Sequence, residues 1–70
     1  MNIEELKIEM LKHKISAPEL ACKIGMSKKT IYSRLNGITP FRQNEILSIS
    51  KELNLSRDRI FEIFFAHEVA

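Results

Sequence analysis

In the run GMSKKTIYSRLNG (residues 25–37), Lys28, Lys29, Tyr32 and Ser33 fall within six consecutive positions. Arg34 follows directly, and the run contains no carboxylate. A lysine ammonium offers three donors and no acceptor, whereas a serine or tyrosine hydroxyl can both donate and accept. Residues of these types on one helical face suit an anionic, acceptor-rich partner. The rest of the chain offers less chemistry. His13 and His67 are far apart and lack cysteine or carboxylate partners at ligand spacing, so surface histidines are expected and no metal. Cys22 reads as a lone, half-buried thiol on the side of a helix. Neither a Ser/His/Asp set nor a glycine-rich phosphate loop is present, which predicts a non-enzyme with no cofactor and no small-molecule ligand.

The charge pattern sharpens the first point. The 70 residues carry 11 basic and 9 acidic side chains, a formal net charge of +2. Between Glu19 and Glu45 stand Lys23, Lys28, Lys29, Arg34 and Arg42 with no acid, so the rest of the chain is slightly acidic. Such a patch suits an anionic partner on one face; the plainer reading is a solvated, lysine-rich surface. The length fits one domain, spanning residues 1–70. One cysteine forbids an internal disulfide, and no apolar run nears the ~20 residues of a membrane span. The N-terminal MNIEELKIEML is acidic and periodic, unlike a signal peptide, so a cytoplasmic protein that does not engage membrane is expected.

Helical punctuation recurs, while strand signals are weak. A first helix is expected from about Asn2 to His13, with Ile3, Leu6, Met10 and Leu11 at helical spacing and Asn2 as cap. A second runs from about Ala17 to Ile24. Ser16-Ala17-Pro18-Glu19 has the capping-box form, Leu20, Ala21 and Ile24 make the buried stripe, and Gly25 is the stop. A third starts at the cap Ser27, buries Ile31 and Leu35, and stops at Asn36-Gly37. A fourth spans about Phe41 to Leu53, with Ile46, Leu47, Ile49, Ser50 and Leu53 in its stripe and Asn54 as stop. The fifth is capped by Ser56 and turns Ile60, Phe61 and Phe64 inward, leaving Arg57 and Arg59 on a solvated face. Five short helices with brief connections predict a compact all-α domain with one small core.

The second and third helices are joined by Gly25-Met26-Ser27, the spacing of a helix-turn-helix at about residues 16–36. With Ile31 and Leu35 inward, Lys29 and Ser33 point outward, Thr30 and Tyr32 flank them, and Lys28 sits at the tip. Base-pair edges in the major groove are rich in acceptors, and an α-helix fits that groove. Lysine can donate to guanine O6 and N7; the Tyr32 ring suits a thymine methyl and its hydroxyl a phosphate. Helix 28–36 is therefore the expected reader of double-stranded DNA.

At this point the chain resembles the five-helix, lambda-repressor-like DNA-binding domains of phage and bacterial repressors and Cro-type regulators. The likeness rests on ISAPELACKIGMSKKTIYSRLNG (15–37) and EILSISKELNLSRDRIF (45–61). The resemblance implies base contacts from Lys28, Lys29, Tyr32 and Ser33. It implies phosphate contacts at Ser16 and the N–H of Ala17, where a helix N-terminus suits an anion, and at Thr30, Asn36, Thr39 and Arg42. Two departures stand out. The family's usual glutamine is replaced by Ala17, and Pro18 removes one more donor, which weakens the phosphate clamp. An arginine–glutamate pair of some members corresponds here to Met10 and Leu35, an apolar contact. With no second domain read, the resemblance implies a Cro-like transcriptional regulator binding a pseudo-palindromic operator as a homodimer.

The C-terminal segment 60–70 is rich in apolar residues. Ile60, Phe61 and Phe64 can fill one stripe, which leaves Phe65 and Val69 beside it. They either cover the base of the core or make the dimer contact, and the dimer is the reading preferred here. The rival function is a protein-interaction module, antitoxin-like or anti-repressor, that works through this apolar tail.

Overall fold

The computed structural model describes residues 1–65. Those residues form five helices: α1 (Ile3–Lys12), α2 (Ala17–Ile24), α3 (Lys28–Leu35), α4 (Gln43–Glu52) and α5 (Arg57–Phe64). No strand occurs among them. Four helices start on a side chain that accepts a first-turn N–H. Asn2 accepts from Glu5, Ser16 from Glu19, Ser27 from Thr30 and Ser56 from Arg59, at 3.1–3.2 Å. At α2 the bond is reciprocated, because the Ser16 N–H donates to Glu19 Oε1 at 3.0 Å. The fourth helix differs. Its N-cap is Arg42, which has no acceptor to offer.

The first four helices also share one stop. A residue with positive φ follows each: Lys14 (53°), Gly25 (73°), Gly37 (75°) and Asn54 (48°). Its N–H and that of the next residue turn back to carbonyls of the last turn, as in Gly37 to Arg34 and Ile38 to Ser33 at 3.2 and 3.0 Å. This is the Schellman arrangement, which satisfies carbonyls that the helix leaves without partners. Nothing lies within 4 Å of a Cβ built on Gly25 or Gly37, so their requirement is conformational rather than steric. The apolar residue after the stop packs on the core at Ile15, Met26 and Leu55. At the α3 stop, by contrast, Ile38 is 74% exposed.

Each helix contributes to one core: Leu6 and Met10, Leu20 and Ala21, Ile31 and Leu35, Ile49 with the following Leu53, and Ile63 and Phe64. Helix α2 is central and packs on both α3 and α4, while α1 closes against α5. The Asn2 N–H donates to the Ile63 carbonyl at 2.6 Å, tying the N-terminus to the last helix. The radius of gyration is 11.1 Å, close to the ~11 Å of a compact 70-residue globule. None of the described helices is long and apolar enough to cross a membrane.

Several positions differ from the sequence expectation. Phe61 is exposed, and its place inside is taken by Ile63, because the α5 stripe runs Ile60, Ile63, Phe64. Leu11 and Leu47 are likewise exposed. Helix α4 begins at Gln43, not Phe41; Phe41 lies in the connection and meets Phe64 edge-on, with ring centroids 6.0 Å apart. Cys22 is exposed rather than half-buried. Met10 and Leu35 are both in the core.

The largest correction concerns Arg59, which is not a solvated surface residue. Its Nε donates to Glu9 Oε2 and its Nη2 to Glu5 Oε1, each at 2.7 Å. Glu9 is buried, and Lys12 lies 3.4 Å from the same carboxylate oxygen. The Arg59 hydrogen bond holds the Glu9 carboxyl below its ordinary pKa, against the opposing effect of burial.

Candidate nucleic-acid interface

Helix α3 is held at both ends before any partner arrives. Ser27 Oγ accepts the Thr30 N–H at 3.1 Å and donates to Thr30 Oγ1 at 2.8 Å. At the other end is the Gly37 stop. Ile31 and Leu35 anchor the inner side, at 0% and 6% exposure. Lys28, Lys29 and Tyr32 are on the outside, and neither lysine forms a salt bridge among the described residues. The first turn of α3 has no acid. Lys28, Lys29 and Tyr32 are thus exposed, with Ile31 and Leu35 turned inward.

Ser33 is placed differently. It is half-buried, and its hydroxyl pairs with that of Thr39 at 2.9 Å. Thr39 also accepts from Arg34 Nη1 at 2.6 Å. Both hydroxyls therefore fasten the α3–α4 connection to α3 instead of standing free for a base or a phosphate. Thr30 is half-buried and bonded to Ser27. Asn36, the C-cap of α3, and Arg42, the N-cap of α4, are exposed, and Arg42 makes no side-chain cap bond.

At the mouth of α2, Ser16 and Ala17 share the space with a carboxylate. Hydrogen bonds from Ser16, the backbone N–H first, hold Glu19 below its ordinary pKa, so an anion already occupies that helix end. A further anion at this helix end would have to share it with the Glu19 carboxylate. Phe65 is exposed and lines an apolar groove of about 450 Å³ with Met1, Ile3, Pro40, Phe41 and Phe64. Val69 and His67 lie outside the described residues. His13 Nδ1 is 2.9 Å from the Glu9 carbonyl, and no group of three metal-ligating side chains is found among the described residues.

Sequence reasoning missed the network behind α3. Arg34 Nε donates to Glu45 Oε1 at 2.8 Å and Nη2 to Glu45 Oε2 at 3.1 Å, a bidentate pair. Glu45 Oε1 also accepts the Arg42 N–H at 2.8 Å, which supplies at α4 one half of a capping box. The two side chains are only 11% and 14% exposed. The Arg34 hydrogen bond lowers the Glu45 pKa and the Glu45 hydrogen bond raises that of Arg34, so both stay charged. The signal was present: Arg42 and Glu45 stand at capping-box spacing. Arg34 is thus removed from the set of free cations, and the exposed basic residues of this region are Lys23, Lys28, Lys29 and Arg42.

Comparison with known proteins adds no relative. The chain matches no family model, no curated protein and no solved structure. Its own residues must carry the functional argument.

Proposed function

We propose that this chain binds double-stranded DNA sequence-specifically, as a small Cro- or repressor-type transcriptional regulator. In this reading α2, the Gly25–Ser27 turn and α3 form a helix-turn-helix of the lambda-repressor-like kind. Helix α3 enters the major groove, with Lys28, Lys29 and Tyr32 toward base edges and Asn36 and Arg42 toward phosphates. The observation that carries it is the outer face of α3: exposed, basic, free of acids, on a helix fixed at both ends. A helix ordered before binding suits base readout, because its backbone has little conformational freedom left to lose. One such helix offers few base contacts, so a two-fold dimer on a pseudo-palindromic site completes the proposal. Phe65 and the neighbouring groove are the proposed dimer contact.

A selection of bound sequences from random duplex DNA, followed by footprinting and sedimentation, tests all of this. The expected result is a pseudo-palindrome with half-sites about one helical turn apart, protected by a dimer. Phe65→Ser should lower dimerisation and operator affinity together. No enrichment of any sequence, with no salt-dependent binding, would refute the DNA reading. A second reading, an antitoxin-like or anti-repressor interaction module, is favoured by one observation: Phe61 and Phe65, four residues apart, are both about half exposed. It requires that Phe65→Ser abolish binding of a protein partner while Lys29→Ala does not.

A further inference from the structure

We infer that Glu45 is a positioning residue for DNA binding, acting through Arg34 and the Arg42 N–H, and this rests on the DNA reading above. The groups assigned to DNA fall on two separate elements. Lys28, Lys29 and Tyr32 belong to α3, whereas Arg42 heads α4, and residues 36–42 between them form no regular structure. Contacts from two elements reinforce each other only if the elements keep a fixed relation, since a loose one must be ordered on binding. Both helices pack on α2, and at the surface one carboxylate ties them further. Glu45 receives both donors of the Arg34 fork from α3 and the backbone N–H of Arg42 at the head of α4. The third arm of Arg34 reaches Thr39 in the middle of the connection, and Thr39 bonds back to Ser33. Base-facing helix, connection and phosphate-facing residue are thereby fastened at one point. That point is largely shielded from water, so salt screens it little.

The sign of the effect separates positioning from plain electrostatics. Glu45 is an acid beside a surface meant for phosphates. If it mattered only as a charge, neutralising it would strengthen DNA binding, because the domain would become more positive. If it positions, neutralising it weakens binding. Arg42 cannot make up the loss at the head of α4, having no acceptor of its own.

The experiment measures binding of wild type, Glu45→Gln, Arg34→Lys and Glu9→Gln to a pool of random-sequence duplexes of about 30 base pairs. Fluorescence anisotropy is read at low salt, at a temperature where circular dichroism shows each protein folded. Glu9→Gln breaks the other buried arginine pair by the same chemical change, away from α3, and so controls for lost stability. Glu45→Gln should bind about tenfold more weakly, the factor expected for one lost charge-assisted contact. Arg34→Lys keeps the charge but not the fork, and should weaken binding in the same direction if Glu45→Gln fails to fold. Glu9→Gln should bind as wild type does. Unchanged or tighter binding by Glu45→Gln overturns the inference, as does an equal loss in Glu9→Gln. If wild type itself binds no duplex, the DNA reading fails first, and that outcome is distinct from either.

Discussion

Two arginines hold this domain by nearly the same chemistry, in regions that serve different ends. At the α1–α5 seam, Arg59 takes Glu5 and Glu9, residues 54 and 50 positions away, and so closes the chain on itself. At the α3–α4 junction, Arg34 takes Glu45 eleven positions on, with Thr39 between them. The seam joins elements that only the finished fold brings together. The junction joins successive elements and shapes a surface. A long-range pair between the two ends of the chain bears on whether the fold persists, whereas a pair between successive elements, here no more exposed, bears on what the fold presents. In a domain of this size, total stability is of the order of 0.1 kcal/mol per residue, so a single pair at the seam is a large fraction of it.

The strongest way to break the comparison is at the seam. Ile63 is fully buried and its carbonyl accepts from Asn2, while Phe61 on the same helix is half exposed. Ile63→Ala should cost about 3 kcal/mol, as truncation in a packed core does. Phe61→Ala should change stability by less than about 0.5 kcal/mol, as surface substitutions do. Urea unfolding of both decides it; equal losses would mean that α5 is rotated from the orientation described. Arg59→Ala comes next. It leaves the buried Glu9 carboxylate with Lys12 alone, at a cost of about 2 kcal/mol, low for a broken buried pair because the guanidinium keeps some contact with water.

Acid tests both regions at once, with a smaller effect. Glu9 and Glu45 are each held below the ordinary 4.5, chiefly by hydrogen bonds from Arg59 and Arg34. The unfolded chain therefore binds these protons more tightly than the folded one. Their stabilisation is complete above about pH 4.5 and is lost as pH falls through the lower, folded values. The melting temperature should fall between pH 5 and pH 3, and Glu9→Gln and Glu45→Gln should each flatten that fall from a lower starting point. A wild-type melting temperature that does not change across this range would remove both pairs from the account of stability.

The contrast also explains what could be read in advance. The limits of α2, the caps Asn2, Ser16, Ser27 and Ser56, and the stops at Gly25, Gly37 and Asn54 were legible because each is a local bargain between a side chain and its own backbone. The outward direction of Lys29 followed from Ile31 and Leu35 by helical periodicity alone, with Tyr32 on the flank. Ile63 was missed because the fifth helix is apolar on two sides, at Phe61 and Phe65 as well as at Ile60 and Phe64, so periodicity selects no single stripe. Arg59 was missed because its partners lie at the other end of the chain. Lys14 at positive φ gave no signal, since lysine is not a residue that favours that conformation. Ser33 was expected to point outward and is half-buried instead: nothing local indicates that Thr39 would fold back onto it.

Ser33 and Lys29 give the finest test, because the sequence pattern treats them as equals and the fold does not. Both lie on the outer side of α3 by periodicity. Lys29 is exposed and forms no salt bridge among the described residues, so Lys29→Ala should leave the melting temperature within about a degree or two of wild type. In the DNA reading it should lower affinity for a selected duplex by about 1–3 kcal/mol, the worth of a base contact. Ser33→Ala removes a hydroxyl that is half-buried against Thr39, leaving Thr39 held by Arg34 alone. It should cost about 1 kcal/mol of stability, the net value of one hydrogen bond, and its effect on DNA should be the same for every sequence tested, since it loosens the connection without removing a reader. Melting curves and binding to a set of single-base operator variants separate the two. A Ser33→Ala protein as stable as wild type, with its loss confined to one base position, would return Ser33 to the reading face and detach Thr39 from the junction.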